Sequence, residues 1–148
     1  MLLDRSRRKR VAPRRVRAPR AGVVAVLVSR AAMEERMRLA LGARSCLCFT
    51  SKWEELGSVV ARVSCSAVFA DPLADTAGDA EEHLARLSCS RSVPLVLYTV
   101  LTPAVAASLL RLSGCGIHHV VFHRYDDNPA RLREVCEWGP REPPLRAA

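Results

Sequence analysis

Read along the chain, apolar residues alternate between two kinds of segment. Short runs that are apolar at nearly every position predict strands buried on both faces. These are Val23–Val28 (VVAVLV), Cys46–Thr50 (CLCFT), Ala67–Ala70 (AVFA), Pro94–Val100 (PLVLYTV) and Ile117–Phe122 (IHHVVF). Between them lie segments of helical periodicity with recognisable start signals. Ser29 is placed to cap a helix to about Leu41, which Gly42 stops. Ser51 and Glu54 form a capping box for a helix to about Val63, and Asp79 and Glu82 another for a helix to about Leu87. Thr102-Pro103 and Asn128-Pro129 each put a capping residue before a proline at the first helical position. These start helices that end at Gly114 and near Trp138.

Five strands alternating with five helices, joined by right-handed crossovers, predict a parallel sheet covered on both faces. The expected class is α/β, a three-layer sandwich with a five-stranded sheet in the order 2-1-3-4-5. In such a sheet the functional crevice lies at the carboxyl ends of the strands. Those ends carry Ser29-Arg30, Thr50-Ser51, Asp71, Thr99 and His123.

Charge divides the chain. The net charge is +8, yet residues 1–20 hold nine bases against one acid, Asp4, so the rest is neutral. This Arg- and Pro-rich segment has no apolar periodicity, and residues 1–21 are read as a disordered basic tail. Its cations Arg7, Arg8, Lys9, Arg10, Arg14 and Arg15 are the candidate contacts to nucleic acid. Residues 22–138 form the domain, and 139–148 a tail or the start of a linker. No apolar run approaches the roughly 18 residues of a membrane helix, and the expected location is the cytoplasm. The six cysteines sit in apolar segments or at helix ends and read as buried reduced thiols. Cys46 and Cys48 share one strand face, but no second pair at zinc-like spacing accompanies them. His118 and His119 adjoin on a strand and are expected on opposite faces, with His83 on a helix surface. No metal or cofactor is expected. A phosphate-binding glycine loop and a Gly-x-Ser-x-Gly elbow are both missing, which disfavours an enzyme.

An acidic residue ending the third strand, a hydroxyl residue ending the Pro-led fourth, and Gly116 leading into the fifth resemble the receiver domain of response regulators. The spacings of 28 from Asp71 to Thr99 and 24 from Thr99 to His123 are similar to that family's. The resemblance covers residues 22–138 and implies a flavodoxin-like sheet. It makes Asp71 the phospho-acceptor position and Thr99 the switch position. The family's Mg²⁺-binding acidic pair corresponds to Ser29 and Arg30, its lysine to His123, and the proline after that lysine to Arg124. The aromatic switch on the fifth strand corresponds to Val120, and the Met and Pro after the acceptor to Ala74 and Asp75. A hydroxyl and a guanidinium cannot replace two carboxylates as ligands of a hard cation. The resemblance thus implies a non-catalytic pseudo-receiver, a regulatory or interaction module in signal transduction or transcription control. Arg30, His123 and Arg124 are expected to form a small cationic pocket, with Arg30 pairing Asp71. Two alternatives stay open: sequence-independent nucleic-acid binding through the tail, and a phosphorylatable regulator with Asp71 as acceptor.

The fourth helix (PAVAASLLRL) carries only Ser108 and Arg111 as polar residues. Ala104, Ala107 and Leu110 are its candidate contacts to a partner protein or a second copy.

Removing residues 1–20 should leave the thermal transition in place and abolish salt-sensitive retention on DNA cellulose. A truncated chain that melts many degrees lower, or binds DNA as before, would assign the tail a different role.

Overall fold

A computed structural model describes residues 22–90 and 93–137. The basic tail with its candidate nucleic-acid contacts, and the C-terminal segment, lie outside the described residues. The strands are β1 (Gly22–Leu27), β2 (Ser45–Thr50), β3 (Cys65–Ala70), β4 (Leu95–Thr99) and β5 (His119–Phe122). The helices are α1 (Ala31–Leu41), α2 (Trp53–Arg62), α3 (Ala80–Ser90), α4 (Pro103–Ser113) and α5 (Pro129–Glu137). All strand pairs are parallel and their order is β2-β1-β3-β4-β5. The expected sheet and its order are thus the observed ones.

The strands alternate their side chains between two cores. Val24 and Val26 of β1 join Phe69, Tyr98 and Val121 under α1 and α5. Ala25 and Leu27 join Val68, Leu95 and Leu97 under α2, α3 and α4. Met33 and Met37 of α1 and Leu132 and Val135 of α5 fill the first core. Trp53, Leu56 and Leu84 fill the second. Among the described residues no helix is long and apolar enough to cross a membrane.

Several helix starts differ from the sequence reading, and at α2 a tertiary contact supplies the cap. Ser29 does not cap α1: the N-cap is Arg30, without a side-chain bond, and the Ser29 hydroxyl lies 3.7 Å from the Met33 sulfur. The box before α2 closes on Glu55 rather than Glu54, with Oε1 accepting the Ser51 N–H at 2.9 Å. The leading N–H of α2, that of Trp53, donates instead to Asp75 Oδ2 at 3.0 Å, and its indole N–H to the Asp75 carbonyl. This backbone bond holds the Asp75 carboxyl below its usual pKa. Asp79 caps α3 through the N–H of Glu81, but Glu82 turns away to Arg86, and the helix runs on to Ser90. Thr102 and Asn128 cap α4 and α5 through the N–H groups of Val105 and Arg131.

The histidines and cysteines also depart from expectation. His118 lies before β5 rather than in it, and its Nδ1 accepts the Leu95 N–H at 3.1 Å. Burial and the adjacent His119 lower its pKa, which suits a neutral acceptor ring. His83 is stacked on Trp53 with ring centroids 5.3 Å apart. All six cysteines are free thiols, but only Cys65 is buried and Cys46 and Cys89 are exposed. Cys136 is half-buried, and burial pushes its thiol up to about 12.

Gly116 sets the entry to β5 with φ +91°, where a Cβ would lie 2.5 Å from Ser88 Oγ. Gly116→Ala combines a left-handed backbone with that clash. It should cost more than about 1 kcal/mol in denaturant unfolding, while Gly57→Ala, with open space around it, should not destabilise.

Candidate functional site

Asp71 follows β3 directly and continues its ladder, donating its N–H to the Leu27 carbonyl of β1 at 2.8 Å. Its side chain has no solvent exposure. Three donors from three strand ends satisfy the carboxylate. Thr99 Oγ1, the last residue of β4, donates to Oδ1 at 2.7 Å. The Leu73 N–H donates to the same oxygen at 2.9 Å, and the Ser29 N–H after β1 donates to Oδ2 at 3.2 Å. The structure therefore brings together Asp71, Thr99 and the backbone of Ser29.

It does not bring in the cations. Arg30 is exposed and makes no ion pair with Asp71 among the described residues. His123 is buried after β5, and its Nδ1 lies 2.7 Å from Asp127 Oδ2. The expected cationic pocket does not form, because Arg30 extends into solvent and the His123 ring turns to the α1/α5 face. Arg124 is also exposed and has φ 75°. Proline, whose φ is fixed near −65°, could not stand there. The Arg124 N–H donates to Asp127 Oδ1 at 3.0 Å, a bond that proline lacks. Both the backbone angle and this bond therefore exclude a proline at position 124.

These residues do not suit a divalent cation. One carboxylate is present with both oxygens engaged, beside a guanidinium-bearing residue, and a hard cation needs several oxygen ligands at once. No cluster of three or more His, Cys, Asp or Glu at metal-binding distance occurs among the described residues.

The sequence reading missed the second buried acid. Asp127 is 2% exposed. Its Oδ2 accepts the Tyr98 hydroxyl at 2.6 Å as well as bonding His123, and Arg36 approaches Oδ1 at 3.8 Å. Burial raises the carboxyl pKa. The bonds from Tyr98, His123 and the Arg124 N–H, with Arg36, outweigh it and hold the group below the usual 3.8. The Tyr98 hydroxyl is pushed strongly upward, first by burial and then by this bond. The available signal was a tyrosine inside an apolar strand, since a buried phenol needs a partner.

Of the α4 candidates, Ala104, Ala107 and Leu110 all face outward, and Leu110 is 89% exposed. Val105 and Leu112 hold the opposite side of the helix in the core. A groove of about 260 Å³ runs between α4 and the β3–α3 loop, lined by Leu73, Asp79, Ala104 and Arg111 among others.

No family model and no curated protein sequence matches this chain. Solved structures do. A two-component response regulator from Clostridium difficile superposes with TM-score 0.64 at 11% identity, over 77% of this chain and 94% of the other. The N-terminal receiver domain of a response regulator from Bacteroides fragilis gives 0.64 at 18% identity, over 79% and 94%. The receiver domain of a sensor histidine kinase from Pseudomonas aeruginosa, solved with magnesium in its active-site cleft, gives 0.60 at 12%, over 79% and 95%. The chain has the receiver fold.

Tyr98→Phe removes one donor from buried Asp127 and should cost about 1–3 kcal/mol. The depressed Asp127 pKa contributes stability that is complete above the unfolded value and is lost as pH falls through the folded one. Losing the Tyr98 bond raises the folded value. Acid unfolding followed by circular dichroism should therefore begin at higher pH in the variant, and an unchanged acid midpoint would contradict this role of the bond.

Proposed function

We propose that this chain is a signalling module of the receiver fold that works without phosphorylation, by binding other proteins. The observation that carries this reading is the state of Asp71: fully buried, with both carboxylate oxygens held by the protein's own donors. Phosphoryl transfer to a carboxylate needs an approachable oxygen and a cation to offset charge on the transferring group. Ser29 and Arg30 offer no carboxylate for such a cation, and His123 is engaged with Asp127. Thr99, which the family uses as a switch, serves here as a fixed donor to Asp71. In this reading the domain has no catalytic residues and requires no cofactor.

The outward face of α4 is the proposed docking surface for a protein partner in signal transduction or transcription control. A leucine exposed to 89%, one turn beyond the exposed Ala106 and Ala107, offers apolar contact area that close helix approach would bury.

Incubation with acetyl phosphate and Mg²⁺, followed by intact mass measurement, tests the reading. No phosphoryl adduct is expected. A stoichiometric adduct that disappears in Asp71→Asn would establish the phosphorylatable alternative instead.

A further inference from the structure

We propose that two copies of this chain associate through the free edge of β2, which pairs antiparallel with itself about a two-fold axis at Leu47. Among the described residues β2 pairs only with β1, and its sequence, SCLCFT, contains no charge and no proline. Edge strands that stay single are usually guarded by charges, prolines or bulges. None of these lies within β2.

The direction of the free backbone groups follows from β1. Val26, whose side chain faces α1 and α5, points its carbonyl toward β2, where the Thr50 hydroxyl donates to it at 2.9 Å. Leu27, facing the opposite core, points its carbonyl toward β3, where the Asp71 N–H donates to it. In parallel β2 the residues facing α1 and α5 are Leu47 and Phe49. Their N–H and C=O groups therefore point the same way as those of Val26, away from β1 and off the edge of the sheet. An antiparallel partner would form hydrogen-bonded pairs at these positions. With the axis at Leu47, Cys46 of each copy falls opposite Cys48 of the other, as non-hydrogen-bonded pairs about 4.5 Å apart at Cα. The thiols of both residues lie on the α2 side of the sheet, and Cys46 is exposed.

The flanking helix fits the same symmetry. Glu54, Glu55, Ser58 and Arg62 of α2 line a groove along β2 with Cys48 and Thr50. Glu54 and Glu55 lie in the first turn of α2 and Arg62 in the last. A two-fold axis normal to the sheet sets the acidic end of one α2 beside the basic end of the other. The surface is thus self-complementary in backbone, apolar content and charge. It lies across the sheet from α4, so pairing at this edge leaves the proposed partner surface open.

The full chain under reducing conditions should sediment at twice the monomer mass at tens of micromolar. Cys46→Lys puts an amine into both cross-strand positions and should weaken the dimer by about tenfold or more, with an unchanged circular dichroism melt. Arg62→Glu should weaken it at low salt, and Leu110→Glu on α4 should not. Register is read by cross-linking, in a background with Cys89 and Cys115 replaced by serine. Diamide accepts the two thiol hydrogens as one disulfide forms. Cys46→Ser and Cys48→Ser chains should each stay uncrosslinked alone and join covalently when mixed. A monomer across the concentration range, a dimer indifferent to Cys46→Lys, loss of the dimer in Leu110→Glu, or cross-linking of either single variant alone would each overturn the proposal.

Discussion

Asp71 is a charge taken wholly out of water, and the ends of the central strands are arranged to satisfy it. An ionised carboxylate without partners in such a place would cost far more than the stability of a small domain. Its donors come from the ends of β1 and β4 and from the turn after β3. The bonds from Ser29 and Thr99 therefore also fix the ends of β1 and β4 against that of β3. A ligand approaching Asp71 would have to replace these bonds, and the backbone donors cannot be withdrawn without moving the loops that carry them. The same contacts that make the carboxylate tolerable also occupy both of its oxygens.

The second buried acid completes this arrangement on the other face. Tyr98 and Thr99 are adjacent in β4 and point to opposite sides of the sheet, so β4 is fastened to Asp127 through one residue and to Asp71 through the next. His123 and the Arg124 backbone add the start of the β5–α5 loop to the Asp127 side. A residue that must reach across the crevice needs a long side chain. The imidazole of His123 is short and finds its partner four residues on, within the loop that follows. His123 thus serves as a structural partner of Asp127.

The element order and the sheet were legible because central parallel strands must be apolar on both faces. VVAVLV and PLVLYTV admit few other readings. The helix starts were less legible wherever a distant residue supplied the cap. Trp53 is capped by Asp75, 22 positions away, and no local pattern encodes that bond. Ser29 carried the right hydroxyl for a cap, yet its backbone N–H is what the fold uses. At the site, Asp71 and Thr99 were readable from their places at strand ends. The Asp127 cluster was not, since Arg36 of α1, Tyr98 of β4 and the β5–α5 loop with His123 and Asp127 are three segments that only the tertiary fold assembles. The cysteines misled for a related reason: an apolar run predicts burial only if the strand is central, and β2 is at the edge.

That difference between centre and edge bears on how the molecule can communicate. Its buried carboxylates, Asp71 and Asp127, are each held by several partners, and Val120 of β5 packs into the core under α2, α3 and α4. What remains variable is the perimeter: the outward side of α4 near one edge of the sheet and β2 at the other. If the proposed function holds, a module with two such separate surfaces would transmit information by what it holds together. On the proposed reading, output would follow local concentration and partner geometry.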